Sequence, residues 1–231
     1  MSRITLDIWS DYVCPFCYLE LPVLDALRGE FGDTVEIRWR AFELRPEPLP
    51  TLDPKGDYLR RAWADAVYPM AEERGMRLRL PPIQPRSRMA LEAEMFAREH
   101  GLGDKMRLSL FQAFFEHGRD IGKISVLTSI GRAIGLNAAR LKFALQNGDY
   151  TSAVQADRHE AERLGISGVP GILLQSSNPS VHARLLAGAQ PLESVREIIA
   201  SMLTDTASEP LAQPLAQAAC RIRPEAVLAH A

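Results

Sequence analysis

Apolar and polar residues alternate from the start of the chain. Ile4, Leu6 and Ile8 are set against Arg3, Thr5 and Asp7, the two-residue period of a strand. After a turn at SDYVCP the period lengthens. Leu21, Leu24, Leu27 and Phe31 recur at three- and four-residue intervals and predict an amphipathic helix from about Pro15 to Phe31. Pro15 suits a first helical turn, where its missing N–H leaves nothing unsatisfied. Gly32 and Asp33 end the pattern, and VEIRWRAFEL predicts a second strand with Val35, Ile37 and Trp39 on one face. Strand, helix and strand of this length predict a βαβ unit with a right-handed crossover.

The texture then changes. LRPEPLPTLDPKG, residues 44–56, holds four prolines and cannot be regular helix, so it reads as the entry to an insertion. From about residue 56 to 148 the signals are helical, and Gly75, Gly101, Gly118, Gly135 and Gly148 fall where helices should stop. The aromatic run Phe111, Phe114 and Phe115 reads as core rather than a cofactor box. A further helix over YTSAVQADRHEAERLG leads to two short strands, VPGILLQ and ARLLAG, and a closing helix over LESVREIIASML. The expected α/β architecture is β-α-β, a helical insertion over 51–149, then α-β-β-α. Residues 1–50 and 150–204 form one domain, and 205–231 a loosely held tail.

Composition changes this picture little. The 231 residues are 46% hydrophobic and 24% charged, enough to build a core without disulfide staples. A net charge of −2 gives no electrostatic reason to expect nucleic acid or an anionic membrane as partner. Arg77 and Arg79 read as solvated. No run approaches the ~20 apolar residues that span a bilayer. The first strand also begins where a secretory signal would need a basic start and an apolar stretch of about 7–15 residues. The expected compartment is the cytoplasm, where paired cysteines lean towards redox or metal chemistry rather than structural disulfides.

That makes Cys14 and Cys17, in WSDYVCPFCYLE, the chemistry to explain. Zinc would need four ligands, but there is no second CxxC, and His100, His117, His159, His182 and His230 show no ligand spacing. No metal is expected. A structural disulfide closing so short a loop would constrain the unfolded chain little, and two inert buried thiols remain open. A CxxC beside a βαβ pattern favours redox exchange. At a helix N-terminus Cys14 would face free N–H groups and the positive dipole end, which favour thiolate. It is then expected to be the exposed nucleophile, with Cys17, one turn deeper, the resolving thiol. Phe16 would give the rim an apolar surface. Downstream, GISGVPGI places Pro170 at a strand start, where either a cis bond after Val169 or an ordinary trans loop proline would serve.

In order along the chain, DYVCPFCYLE, RWRAFELRPE, AFFEHGRDIGKISVL, GISGVPGILL and GAQPLESV resemble the DsbA-like thioredoxin family, closest to its FrnE-like branch and related to 2-hydroxychromene-2-carboxylate isomerase. The resemblance covers about residues 4–203. It implies a thioredoxin fold split by an all-helical insertion, and a thiol–disulfide oxidoreductase with Cys14 attacking and Cys17 resolving. It also implies a cis-proline loop at Val169-Pro170 that pairs with an extended substrate, protein or small thiol. Trp9, Phe16 and Phe42 are candidate apolar walls or core. Asp11 is a candidate proton or pKa modulator, though an Asp before a helix is more often a cap. No resident cofactor is implied, with glutathione left as a co-substrate. Two alternatives stand beside this reading: a glutathione-dependent isomerase or transferase acting on a small aromatic or polyketide-like substrate, and a chaperone-like binding module. Cys220 in the tail is expected to be a free thiol.

Overall fold

In the computed structural model, which describes residues 3–204, four strands form one mixed sheet in the order β2-β1-β3-β4. The strands are β1 (Ile4–Ser10), β2 (Val35–Ala41), β3 (Gly171–Ser176) and β4 (Arg184–Ala187). β1 runs parallel to β2 and antiparallel to β3, and β4 closes antiparallel on β3. As the central strand, β1 is covered on both faces. Its apolar side, Ile4, Leu6 and Ile8, is fully buried. On its polar side Asp7 is buried too, and is held by Arg40 Nε at 2.9 Å.

The helix expected over 15–31 is two helices, α1 (Pro15–Leu19) and α2 (Leu21–Phe31), joined at Glu20. Pro22 supplies the reason. It has no N–H to give Tyr18, and its ring crowds that carbonyl, so the first helix stops short. The insertion carries α3 (Asp57–Ala62), α4 (Tyr68–Glu73), α5 (Arg88–Glu99), α6 (Gly103–Phe111), α7 (Ile124–Ala133) and α8 (Ala138–Asn147). Trp63–Val67 and Gln112–Glu116 are wider, π-type turns. The first precedes Pro69, which removes another helical N–H. Asn137 caps α8 by accepting from the N–H groups of Ala139 and Arg140, and Gly148 ends that helix with φ +67°. Then α9 (Thr151–Arg163) returns to the sheet, and α10 (Leu192–Thr204) closes the chain.

Two hydrophobic cores result among the described residues. One lies between the sheet and α2 and α10, built from Ile4, Leu6, Ile8, Leu24, Leu27, Ile172, Leu174, Val195 and Ile199. The other, larger core joins the insertion to the turn after β1 and includes Trp9, Tyr12, Cys14, Phe16, Cys17 and Tyr18 together with Phe111, Phe114 and Phe115. No helix among the described residues is long and apolar enough to cross a membrane. The tail with Cys220 lies outside the described residues.

Candidate redox site

The sheet register brings the two sequence motifs together. Trp9, near the end of β1, pairs with Gly171 at the start of β3. The chain leaving β1 towards Cys14 therefore meets the chain that enters β3 through Val169 and Pro170. Cys14 has extended backbone (φ −95°, ψ 114°) immediately before α1, and its N–H donates to Asp11 O at 3.2 Å. Cys17 N–H then donates to Cys14 O at 3.2 Å, which starts the helix. Cys14 Sγ donates to Val169 O at 3.4 Å. The Val169–Pro170 peptide bond is cis, and both thiols are free. Gly171 allows the close approach just beyond the proline, because a Cβ there would lie 2.7 Å from Ile166 Cγ2.

Burial corrects two expectations. Cys14 is only 3% exposed and Cys17 1%, so neither is an open nucleophile in this state. Phe16 is likewise inside the shared core, at 7%, rather than on an open rim. Trp9 and Phe42 are core residues as well. Trp9 Nε1 donates to Asp157 O at 2.8 Å, and the Arg158 guanidinium covers the Phe42 ring at 5.1 Å. The core that buries the cysteines is shared with the insertion, a part of the sequence remote from them.

The thiol's acidity also departs from the helix-dipole expectation. The hydrogen bond with the Cys17 side chain, and then burial, push the Cys14 thiol above the ordinary cysteine value. The Cys17 amide at the start of α1 acts the other way, too weakly to offset them. The buried Asp11 carboxylate adds to the rise.

Asp11 is fully buried and accepts from Val13 N at 3.3 Å, Leu44 N at 2.7 Å and the Ser87 hydroxyl. It thus caps the turn, as an Asp in this place usually does, and ties it to the exit of β2 and the start of α5. Ser87 precedes α5 without capping it, since its hydroxyl is turned to Asp11. Burial is the largest influence on Asp11 and raises its carboxyl to about 6 against these hydrogen bonds. Beside it Glu43, also buried, receives Arg88 Nε at 2.6 Å.

Three groups of the site were not singled out in the sequence. Tyr12 and Tyr18 pack on Phe111 with ring centres at 4.9 and 5.2 Å, and Tyr18 OH donates to Glu116. A further buried carboxylate, Glu20, stands where α1 breaks, and burial raises it to about 7. The signal for Glu20 was present: a charge at the centre of the apolar run CYLELP. Pockets of about 490 and 550 Å³ lie elsewhere, by Phe96, His100 and Phe143 and by Trp39, Arg98 and Arg107, and neither cysteine lines them. Among the described residues no group of three or more His, Cys, Asp or Glu side chains is placed to hold a metal ion.

Comparison with known proteins agrees with this fold. A profile of the DSBA-like thioredoxin domain matches residues 5–200. The uncharacterized protein YwbO of Bacillus subtilis is 36% identical over 174 residues, 73% of this chain and 86% of the relative. In fold the chain is similar to a probable DsbA oxidoreductase, SCO1869, from Streptomyces coelicolor (TM-score 0.72, 23% identity, 90% of this chain and 94% of the other). It is also similar to the cytosolic disulfide reductase DsbM from Pseudomonas aeruginosa, solved alone and with GSH (TM-score 0.65, 22% identity, 86% and 98%). The chain belongs to the DsbA-like thioredoxin-domain family.

Proposed function

We propose that this DsbA-like protein is a thiol–disulfide oxidoreductase in which Cys14 attacks and Cys17 resolves. The observation that carries the reading is the Cys14 thiol resting on Val169 O, one residue from Pro170, with the second thiol one helical turn behind it. Cys17 is the deeper of the two and follows Cys14 at the spacing a disulfide needs.

In the reducing direction Cys14 loses its proton to the medium, and the thiolate attacks one sulfur of a substrate disulfide. The substrate S–S bond breaks, its second sulfur leaves as a thiolate and takes up a proton, and a mixed disulfide remains on Cys14. Cys17, deprotonated in turn, attacks Cys14 Sγ, forms the Cys14–Cys17 disulfide and releases the second substrate thiol. Two electrons pass from the protein to the substrate. Two thiols of a small reductant such as glutathione then restore the pair, and the same steps reversed oxidise a dithiol. The raised Cys14 pKa and its burial support a resting state that reacts only once the Cys14 Sγ–Val169 O contact opens. When Val169 O is released, the loop offers an extended substrate a backbone partner, as in strand addition. The kinship with a cytosolic reductase solved with GSH favours a cytoplasmic protein with glutathione as co-substrate.

The test is reduction of insulin, and isomerisation of a scrambled disulfide substrate, by the wild type and by Cys14→Ser. Activity in the wild type that disappears in the variant is expected. A wild type inactive in both assays would sink the proposal.

A further inference from the structure

We propose that Arg74, a residue of the helical insertion, is a positioning residue of the redox site: it locks the end of the cysteine-bearing helix to the loop behind Val169 and Pro170. The inference rests on the redox reading above and concerns what holds its two halves in register.

The contacts converge on one guanidinium. Arg74 Nη1 donates to Leu19 O at 2.6 Å and to Glu20 Oε2 at 3.0 Å, and Nη2 donates to Gln190 O at 2.7 Å. Gln190 N–H donates to the same Glu20 Oε2 at 3.0 Å. The Gln190 side-chain amide reaches back to Ala187 O and Gly188 O at 2.9 and 3.1 Å, and Gly188 N–H donates to Pro170 O at 2.8 Å. A continuous chain of hydrogen bonds therefore runs from the last residues of α1, through Arg74, to the backbone of Pro170. The break at Pro22 presents Leu19 O and Glu20 to Arg74 at the end of the helix that begins beside Cys14.

Arg74 itself is held firmly. It ends α4, with its N–H on Met70 O at 3.0 Å, and Gly75 turns the chain back at φ +63° so that Met76 N–H reaches Ala71 O at 2.8 Å. An arginine matches these acceptors because its planar fork presents several donors at fixed angles, which a lysine does not.

Stability alone is a poor reason for this arrangement. The Glu20 side chain is 1% exposed and Arg74 11%, and Glu20 Oε1 is buried with no partner at all. Buried pairs of this kind often break even against apolar replacements because desolvation offsets the attraction. An unsatisfied oxygen adds a further cost. A positional role accounts for that expense, since exchange needs Cys14, Cys17 and the Val169 carbonyl to stay aligned through two successive attacks. Small errors of alignment are costly in such reactions, up to about 100-fold for ~1 Å.

The experiment uses the full chain with Arg74→Met and Arg74→Lys. Exchange with oxidised glutathione is followed in rate and, by mass spectrometry, in the steady-state fraction of Cys14–glutathione mixed disulfide; urea unfolding is measured alongside. Arg74→Met is expected to slow exchange by about 10- to 100-fold and to accumulate the mixed disulfide, because the Cys17 attack is misaligned. Arg74→Lys, which keeps the charge and loses the fork, should fall between. Should Arg74→Met not fold, Arg74→Lys decides, and a wild-type rate and mixed-disulfide fraction in it would overturn the clamp. A lowered unfolding midpoint with both exchange readouts unchanged in Arg74→Met would likewise reduce Arg74 to a brace. An inactive wild type would overturn the redox reading and the clamp with it, whereas an active wild type with unaffected variants would overturn the clamp alone.

Discussion

The molecule's two cores differ in what they are made of and in what they hold. The core between the sheet and α2 and α10 is aliphatic, with Leu, Ile and Val from regular elements of plain periodicity, and among the described residues it contains no thiol. The core under the insertion is aromatic and mixed, and both cysteines lie in it. The CxxC turn thus begins at the sheet but packs into the insertion. Mutations in the two cores should therefore differ in kind and not only in size, with those in the insertion core changing access to the thiols.

The largest effect expected is on stability, and the contrast lies in what accompanies it. Phe111→Ala removes a fully buried ring that supports Tyr12 and Tyr18, and should cost about 3–5 kcal/mol. Leu6→Ala in the sheet core should cost about 2–5 kcal/mol. Iodoacetamide labelling of Cys14, under conditions where each variant is folded, should be faster than wild type in Phe111→Ala and unchanged in Leu6→Ala. Equal labelling in the two would abolish the distinction between the cores.

Next comes pH. The Asp11 carboxyl stands at about 6 instead of 3.8, and Glu20 at about 7 instead of 4.5, both chiefly through burial. Between the ordinary and the raised value the folded protein binds more protons than the unfolded chain, so each group makes stability fall as pH rises through that interval. By the conversion of 1.36 kcal/mol per pK unit, each is worth about 3 kcal/mol across roughly pH 4–7. Urea unfolding at pH 4.5 and 7.5 checks this by difference: Asp11→Asn and Glu20→Gln should each lose less stability than wild type over that range. A steeper loss in either variant would reverse the sign argued here.

These contrasts also mark what was legible in the sequence. The sheet core could be read because Ile4, Leu6 and Ile8 repeat every two residues and Leu24, Leu27 and Phe31 every three or four. CPFC and GVP could be read because each is a short motif with its own chemistry. Their juxtaposition then follows from the β1–β3 register. What escaped was long-range. Arg74 lies 54 residues from Glu20 and 116 from Gln190, and an arginine among EERG has the letters of a solvated face. Burial of Cys14 escaped for the same reason, since the core it lies in also takes in residues of the distant insertion. The helix break could have been read, because Pro22 stands inside the very run whose leucines predicted one continuous helix.

A smaller prediction concerns thiol acidity. The Asp11 charge is among the influences that raise Cys14, and it points the same way as burial. Asp11→Asn removes that charge, so the Cys14 pKa should fall. The pH profile of alkylation, read at Cys14 in a Cys17→Ala background, reports it directly. An upward shift would mean that the hydrogen bonds of Asp11, and not its charge, dominate the turn.

The smallest effect expected tests whether the aromatic core feels the redox helix at all. Tyr18 follows Cys17 and packs on both Phe111 and Phe115, while its hydroxyl donates to Glu116 at the end of the second π-type turn. Burial and that carboxylate together keep the phenol well above its ordinary value, so it remains a donor throughout the working range. Tyr18→Phe keeps both ring stacks and removes one hydrogen bond to a charged acceptor, which should cost about 1.5–3 kcal/mol if Glu116 is left without a partner and less if water reaches it. Glu116 belongs to the insertion, so the bond ties α1 directly to the cover over the thiols. Loss of the bond should therefore raise the Cys14 labelling rate by a few-fold at an unchanged thiol pKa, a signature of easier opening rather than altered acidity. If labelling and pKa both stay at wild-type values while stability falls, the ring stacks alone hold the cover, and Tyr18 belongs with the passive part of the aromatic core.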